Sequence, residues 1–312
     1  MRRFTFVAVL ILLTPVITAA DLSDYLERSA TAEFQGDQIV TCSTPDGVRD
    51  AVLQIVGRDG ALVVTSPVGD GRSLSAGAGS LAVAGPDGSV RSTQVASATD
   101  GPGPARYAIA AAIPGTYLGR IVETVVVERD GETRARMTFD VETGALLRSV
   151  VFQADERVYC DARMVTFDPS APEVVAPGSD PDAVHVLEST QDFDLRALPD
   201  EVEGFVRLDQ YRYDDSSVLA YYSDGFFAFT LLHSRRPVRL ETSEALTRVD
   251  AGGGFYERIY GPGTALYVWE SQLGGLAMFG DLPPDLQERV MAGLPEPGQP
   301  SFFIRWWRRL FG

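Results

Sequence analysis

Residues able to do covalent or acid–base chemistry are few in this chain. Its 312 residues include two histidines, His185 and His233, and two cysteines, Cys42 and Cys160. A hydrolase triad needs a nucleophile beside an oriented base. No Gly-x-Ser-x-Gly elbow is present, and Gly77-Ala78-Gly79-Ser80 resembles one only superficially, among small loop residues. No Gly-x-Gly-x-x-Gly fingerprint follows an expected strand. The chain has no lysine, so a Walker-type phosphate loop is excluded. Acidic residues gather at Asp214-Asp215 and from Glu201 to Glu203, where they read as solvated turns. Glycosidase carboxylates leave little local pattern, so an enzyme is not excluded by motif alone. The balance still favours binding over catalysis, with no cofactor and no metal. Two thiolates cannot close a zinc site. The cysteines leave two readings open: one disulfide, as suits an exported protein, or two buried free thiols.

The C-terminus offers a different chemistry. From Ser301 it carries Phe303, Arg305, Trp306, Trp307, Arg308, Arg309, Leu310 and Phe311. As a helix it gathers Arg305, Arg308 and Arg309 on one face by i, i+3, i+4 spacing. The aromatic residues and Leu310 cover the rest. Such a segment is too short to span a bilayer, but Trp and Arg together suit a membrane surface. Each Arg there could contribute about 1 kcal/mol against anionic lipid. Docking on the chain's own acidic body, or on a protein partner, are the alternatives.

At the other end, Met1, Arg2 and Arg3 precede an apolar run to Ile17 and the small residues Thr18, Ala19 and Ala20. This pattern predicts a secretory signal peptide cleaved near Ala20. The formal charge of −16 disfavours a nucleic-acid partner and reads as a solubility feature. Lysine and asparagine are both absent. Their codons begin with two adenines, so a GC-rich bacterial genome accounts for this, and N-glycosylation is ruled out.

These groups need elements to hold them. A helix is expected over Asp21 to Phe34, with Ser23 as N-cap. Strands are expected at Gln38 to Cys42, Ala51 to Val56, Ala61 to Thr65, Ile121 to Glu128, Arg134 to Val141, Leu146 to Phe152 and about Arg157 to Phe167. In Arg134 to Val141, Ala135, Met137, Phe139 and Val141 alternate with Arg134, Arg136, Thr138 and Asp140, which predicts one apolar and one polar face. Gly69 to Gly103 reads as short strands and loops. A Pro-, Ser- and Asp-rich segment over 168–183 reads as a linker. Beyond it, strands are expected at Gly204 to Tyr213, Ser217 to Tyr222, Phe226 to His233, Phe255 to Tyr260, Thr264 to Glu270 and Leu276 to Gly280. Ser223-Asp224-Gly225 would make a tight turn, and Asp285 to Leu294 a closing helix. The division is a signal peptide over 1–20, a first domain over 21–167, the linker, a second domain over 184–296 and a tail over 297–312. The fold class is mostly β (α+β): a strongly curved antiparallel sheet with helix against it, then a smaller α+β sheet domain.

Several segments together resemble the RseB/MucB family of extracytoplasmic sigma-factor regulators. YLERSATAEFQGDQIVTC, Tyr25 to Cys42, looks like the family's opening helix and first strand. DVETGALLR, Asp140 to Arg148, is similar to a D-x-x-T-G-L-x-L-R hairpin shared with LolA/LolB-like lipoprotein carriers. Leu198-Pro199 to Gly204-Phe205 resembles the second domain's L-P-x-G-F entry, with three extra residues. Tyr222-Ser223-Asp224-Gly225-Phe226 matches its turn, and Gly275 to Leu294 its closing strand and helix. The Gly69 to Gly103 region and the tail have no clear counterpart.

The resemblance implies a LolA/LolB-like half-open β-barrel around a helix, with an apolar cavity for lipid or lipoprotein acyl chains. Leu53, Ile55, Val125, Met137 and Phe139 are the candidate lining by alternation, and ordinary core is the competing reading for each. It further implies that the two domains hold the outer part of a membrane-spanning anti-sigma factor and shield it from proteolysis, in the periplasm or on the outer face of the cytoplasmic membrane. A lipid or lipoprotein carrier, or another envelope binding protein, is the alternative. Within the first domain, a Cys42–Cys160 bond would tie the first strand to the last.

Overall fold

The computed structural model describes residues 21–58, 61–65, 73–77, 80–84, 90–94, 106–170, 184–189, 198–236, 238, 246–251 and 253–298. The expected signal peptide, the Trp/Arg tail and most of the expected linker lie outside these residues.

The chain opens with helix α1, Leu22–Ala30. Its N-cap is Asp21 rather than Ser23, and the Asp24 carboxylate accepts the Asp21 N–H at 3.3 Å. The helix stops earlier than expected. The Thr31 hydroxyl donates back to the carbonyls of Glu27 and Arg28, and Phe34 already opens a strand.

That strand is β1, Phe34–Thr44. β2 is Gly47–Arg58, β3 Ala61–Thr65, β4 Ser73–Gly77, β5 Ser80–Ala84 and β6 Val90–Gln94. β7 is Ala108–Tyr117, β8 Arg120–Arg129, β9 Glu132–Asp140, β10 Leu146–Phe152 and β11 Val158–Met164. They pair antiparallel in the order β7-β8-β9-β10-β11-β1-β2-β3-β4-β5-β6. Among the described residues β7 pairs only with β8, so this curved sheet stays open.

β12, Val184–Ser189, runs parallel to β6 and also pairs with β14. The second sheet contains β13 Glu201–Val202, β14 Phe205–Asp214, β15 Ser217–Ser223, β16 Ala228–Ser234, β17 Thr247–Ala251, β18 Gly254–Gly261, β19 Thr264–Glu270 and β20 Gly275–Gly280. Its antiparallel order is β13-β14-β15-β16-β20-β19-β18-β17. Helix α2, Pro284–Gly293, follows, with proline in its first turn where no N–H is needed. It buries Leu286, Val290 and Met291.

The fold is thus mostly β, a half-open barrel followed by a smaller sheet with a helix. Four strands were not foreseen from the sequence: β7, β12, β13 and β17. The two faces of β9 also depart from expectation. Its apolar row is buried, but so are Arg134, Thr138 and Asp140 on the other face, whereas Val141 is 52% exposed.

Candidate binding face and the contact between the two sheets

Val125 and Met137 stand directly opposite each other on β8 and β9. Phe139 lies two residues further along β9, on the same face by alternation. Helix α1 covers this row. The Tyr25 ring lies 5.2 Å from the Phe139 ring, and the Tyr25 hydroxyl donates to the Glu123 carboxylate. Burial, reinforced by Glu123, pushes the Tyr25 hydroxyl up to about 12, so it stays a donor at neutral pH.

All three candidates are buried, in one apolar cluster. The cluster runs from Leu22 and Tyr25 through Val125, Val127 and Met137 to Phe229, Leu231, Met278 and Leu286 of the second sheet and α2. The two sheets therefore share a core. Ile55 falls in a different cluster, with Phe34, Val122, Leu147 and Met164. Leu53 is half-buried and borders both that cluster and the one around Cys42 and Cys160. The structure brings Val125, Met137 and Phe139 together and sets Leu53 and Ile55 apart from them.

The two cysteines form a disulfide. Cys42 and Cys160 are register partners on β1 and β11, with Cα atoms 4.1 Å apart, so antiparallel pairing alone brings the sulfurs together. The Gly263 N–H, from the second sheet, points at the Cys42 sulfur at 3.0 Å.

Around the shared core lies a set of polar bonds that sequence reasoning missed. The Asp224 side chain is fully buried in the turn between β15 and β16. Its Oδ2 accepts from the Tyr107 hydroxyl at 2.6 Å and from Arg129 Nη1 at 2.8 Å, both of the first sheet. Its Oδ1 accepts the Phe226 and Phe227 N–H groups. Burial and the Asp224 charge push the Tyr107 hydroxyl up, so it remains protonated and donating. Arg134, 1% exposed, donates to Asp285 in the first turn of α2 at 2.9 Å. Arg258 of β18 reaches Asp46, in the β1–β2 turn, at 2.6 Å. Arg49 donates to the Tyr260 carbonyl at 3.1 Å. Asp224 is named by the Tyr-Ser-Asp-Gly-Phe turn, but its partners are 95 and 117 residues away and nothing local announces them.

The D-x-x-T-G segment has a clear structural role. The Asp140 carboxylate takes two bonds from Arg120, at 3.0 and 2.9 Å, and two from Thr143, at 2.8 and 2.7 Å. Gly144 takes a positive φ of 81° against Arg28 of α1. The hairpin thereby seats the helix.

This architecture is similar to that of MucB. A structure described as MucB in complex with MucA(peri) matches at a TM-score of 0.52 and 17% identity, over 89% of this chain and 99% of that one. MucB alone gives 0.54 and 18%, over 88% and 98%. The Pseudomonas aeruginosa MucA/MucB complex gives 0.52 and 18%, over 89% and 99%. At such identities the likeness is one of fold. No family model matches the chain, and no curated protein does either.

Among the described residues, no group of three His, Cys, Asp or Glu is placed to hold a metal ion. No described helix is long and apolar enough to cross a membrane.

Proposed function

We propose that the chain is an RseB/MucB-type extracytoplasmic regulator, a binding protein without catalytic chemistry. It would hold the outer segment of a membrane-spanning anti-sigma factor and keep proteases from it. The likeness to MucB over nearly the whole of both chains carries this reading. The MucB structures include complexes with MucA, and the match spans both sheets rather than the half-barrel alone. A simple carrier has no need of the second sheet. Export through residues 1–20, a domain boundary within 168–183 and a surface-seeking Trp/Arg tail belong to the same proposal.

Lipid sensing would use the Val125–Met137–Phe139 face. An acyl chain entering there would displace α1 or the second sheet, because both pack on the same cluster. Ligand and partner would thus compete through one core. The test is binding of the purified protein to the outer segment of a single-span protein encoded beside it, with and without a fluorescent fatty acid. Saturable binding that the fatty acid weakens is expected. No binding to that segment overturns the regulator reading. Binding that ignores the fatty acid overturns the sensing part alone.

A further inference from the structure

We propose that the outer edge of β7 takes an extended peptide segment of a partner protein as an added strand. The inference stands apart from the anti-sigma reading. Ala112, Ile113, Pro114, Gly115 and Thr116 are all exposed. Five consecutive exposed residues on a strand mean that neither face of it is covered. Among the described residues, β7 has no neighbour other than β8.

The backbone directions follow from the hairpin. Leu118 and Gly119 have φ of 50° and 74°, a two-residue turn with both central residues left-handed, as a type I′ turn requires. The flanking pair Tyr117–Arg120 is then hydrogen-bonded, and so are Gly115–Val122 and Ile113–Thr124, two residues apart each time. Ala112, Pro114 and Thr116 therefore point their backbone groups away from β8. Pro114 sits where its missing N–H costs the ladder nothing. The outward row presents the N–H groups of Ala112 and Thr116 and the carbonyls of Ala112, Pro114 and Thr116.

Edge strands are blunted by charge, by proline or by bulges. Pro114 removes only one of the row's N–H groups, and the bulge of β7 lies at Ile109 and Ala111, before the outward row. None of the ten residues of β7 is charged. Its outward-pointing residues are also small. Beside them stands an exposed apolar row. Ile121, opposite Thr116, is 70% exposed, Val141 is 52% and Leu118 is 42%. The Val141 N–H donates to the Ile121 carbonyl, so the two are adjacent. Large apolar side chains at alternate positions of an incoming strand would cross Thr116 and Pro114 and meet Ile121. Basic residues between them would suit a protein of net charge −16. The fitting partner is an extended peptide alternating bulky apolar and basic residues. Main-chain bonds would give it affinity and the Ile121 row its preference.

The experiment uses a ten-residue peptide alternating valine and arginine, with two N-methylated forms that block one hydrogen-bonding edge or the other. Binding is read by fluorescence anisotropy and by amide exchange of the purified protein. We expect the parent peptide to slow exchange at Ala112 and Thr116 at least tenfold. One methylated form should bind at least tenfold more weakly than the other. Ala112→Pro with Thr116→Pro removes only outward N–H groups, as Pro114 already does, and should abolish binding without lowering the melting temperature. Ile121→Asp should weaken it several-fold. Equal binding of all three peptides would mean charge attraction only and overturns the proposal, as does no binding. Protection of Ala112 and Thr116 that rises with protein concentration alone would make a second copy the occupant, and also overturns it.

Discussion

Replacing Asp224 tests whether the two sheets stand or fall together. Its carboxylate receives four hydrogen bonds, two from the first sheet and two from its own turn. Asp224→Ala would leave the Arg129 guanidinium, whose side chain is 10% exposed, with a 3.6 Å contact to exposed Asp130, a 3.3 Å hydrogen bond to the Tyr107 hydroxyl and the face of the Tyr107 ring. Removing one partner of a buried ion pair costs about 3–5 kcal/mol, chiefly because a charge is left buried and uncompensated. Asp224→Asn keeps an acceptor for the two turn amides but leaves the same guanidinium without its counter-charge, so it should fall at the lower end of that range, about 3 kcal/mol. Arg129→Met alone leaves the carboxylate with three donors. The double variant Asp224→Ala/Arg129→Met should therefore be less damaged than the two single costs together, by about 2 kcal/mol. Urea denaturation followed by Trp fluorescence is the assay, because Trp269 is 3% exposed in the second sheet. A second probe should come from the first sheet. The shared core predicts one coincident transition in the parent protein. For Asp224→Ala it predicts a fall in melting temperature on the order of 10 °C. A cost under about 1 kcal/mol, or strict additivity in the cycle, would refute the view that this contact couples the sheets.

Three other outcomes follow from local geometry. Replacing Cys42 and Cys160 by Ser opens a loop of 118 residues and should cost about 4–5 kcal/mol in the chain-entropy model; denaturation with and without reductant measures it, and a reductant-insensitive midpoint would count against the bond. Burial opposes ionisation of Asp140, but its bonds from Arg120 and Thr143 outweigh that and hold it below the ordinary carboxylate range. Its folded pKa is thus depressed, so its stabilisation is present above about pH 4 and lost as pH falls through the folded value. Asp140→Asn should lower the melting temperature at pH 7 and flatten its acid limb. Gly36→Ala would put a Cβ 2.2 Å from the Thr166 carbonyl oxygen and 2.6 Å from the end of Met164. Since the first of these is backbone, a loss of about 1–3 kcal/mol is expected, and an unchanged melting curve would contradict it.

Much of the fold was legible because alternation and turn chemistry are local signals. Leu146 to Phe152 and Thr264 to Glu270 were expected at their observed bounds, where runs of Leu, Val, Tyr and Trp carry strong strand preference. The disulfide was legible as a pairing of the first and last strands of one sheet. Burial of the polar face of β9 was not. Arg134 reads as a solvent residue until α2, some 150 residues later, brings Asp285 to it. Asp224 likewise reads as part of an exposed turn. Its burial depends on Tyr107 and Arg129, which no window around it contains. Long-range polar pairs leave no local trace, whereas long-range apolar pairs leave one through alternation.

One of the unforeseen strands, β7, is also strongly exposed, for one physical reason. Ala108-Ile109-Ala110-Ala111-Ala112-Ile113-Pro114-Gly115-Thr116-Tyr117 is rich in residues that strands avoid. It is a strand because β8, rich in Val, offers it a ladder and Leu118-Gly119 turns the chain back. Small side chains on an interior strand would leave voids between neighbours on both sides. At an edge the outer neighbour is missing, so nothing selects for volume. The poor strand composition of β7 therefore carries information about its place in the sheet. The same smallness would make room for the side chains of an incoming strand, and the absence of charge leaves Pro114 as the one blunting residue in the outward row.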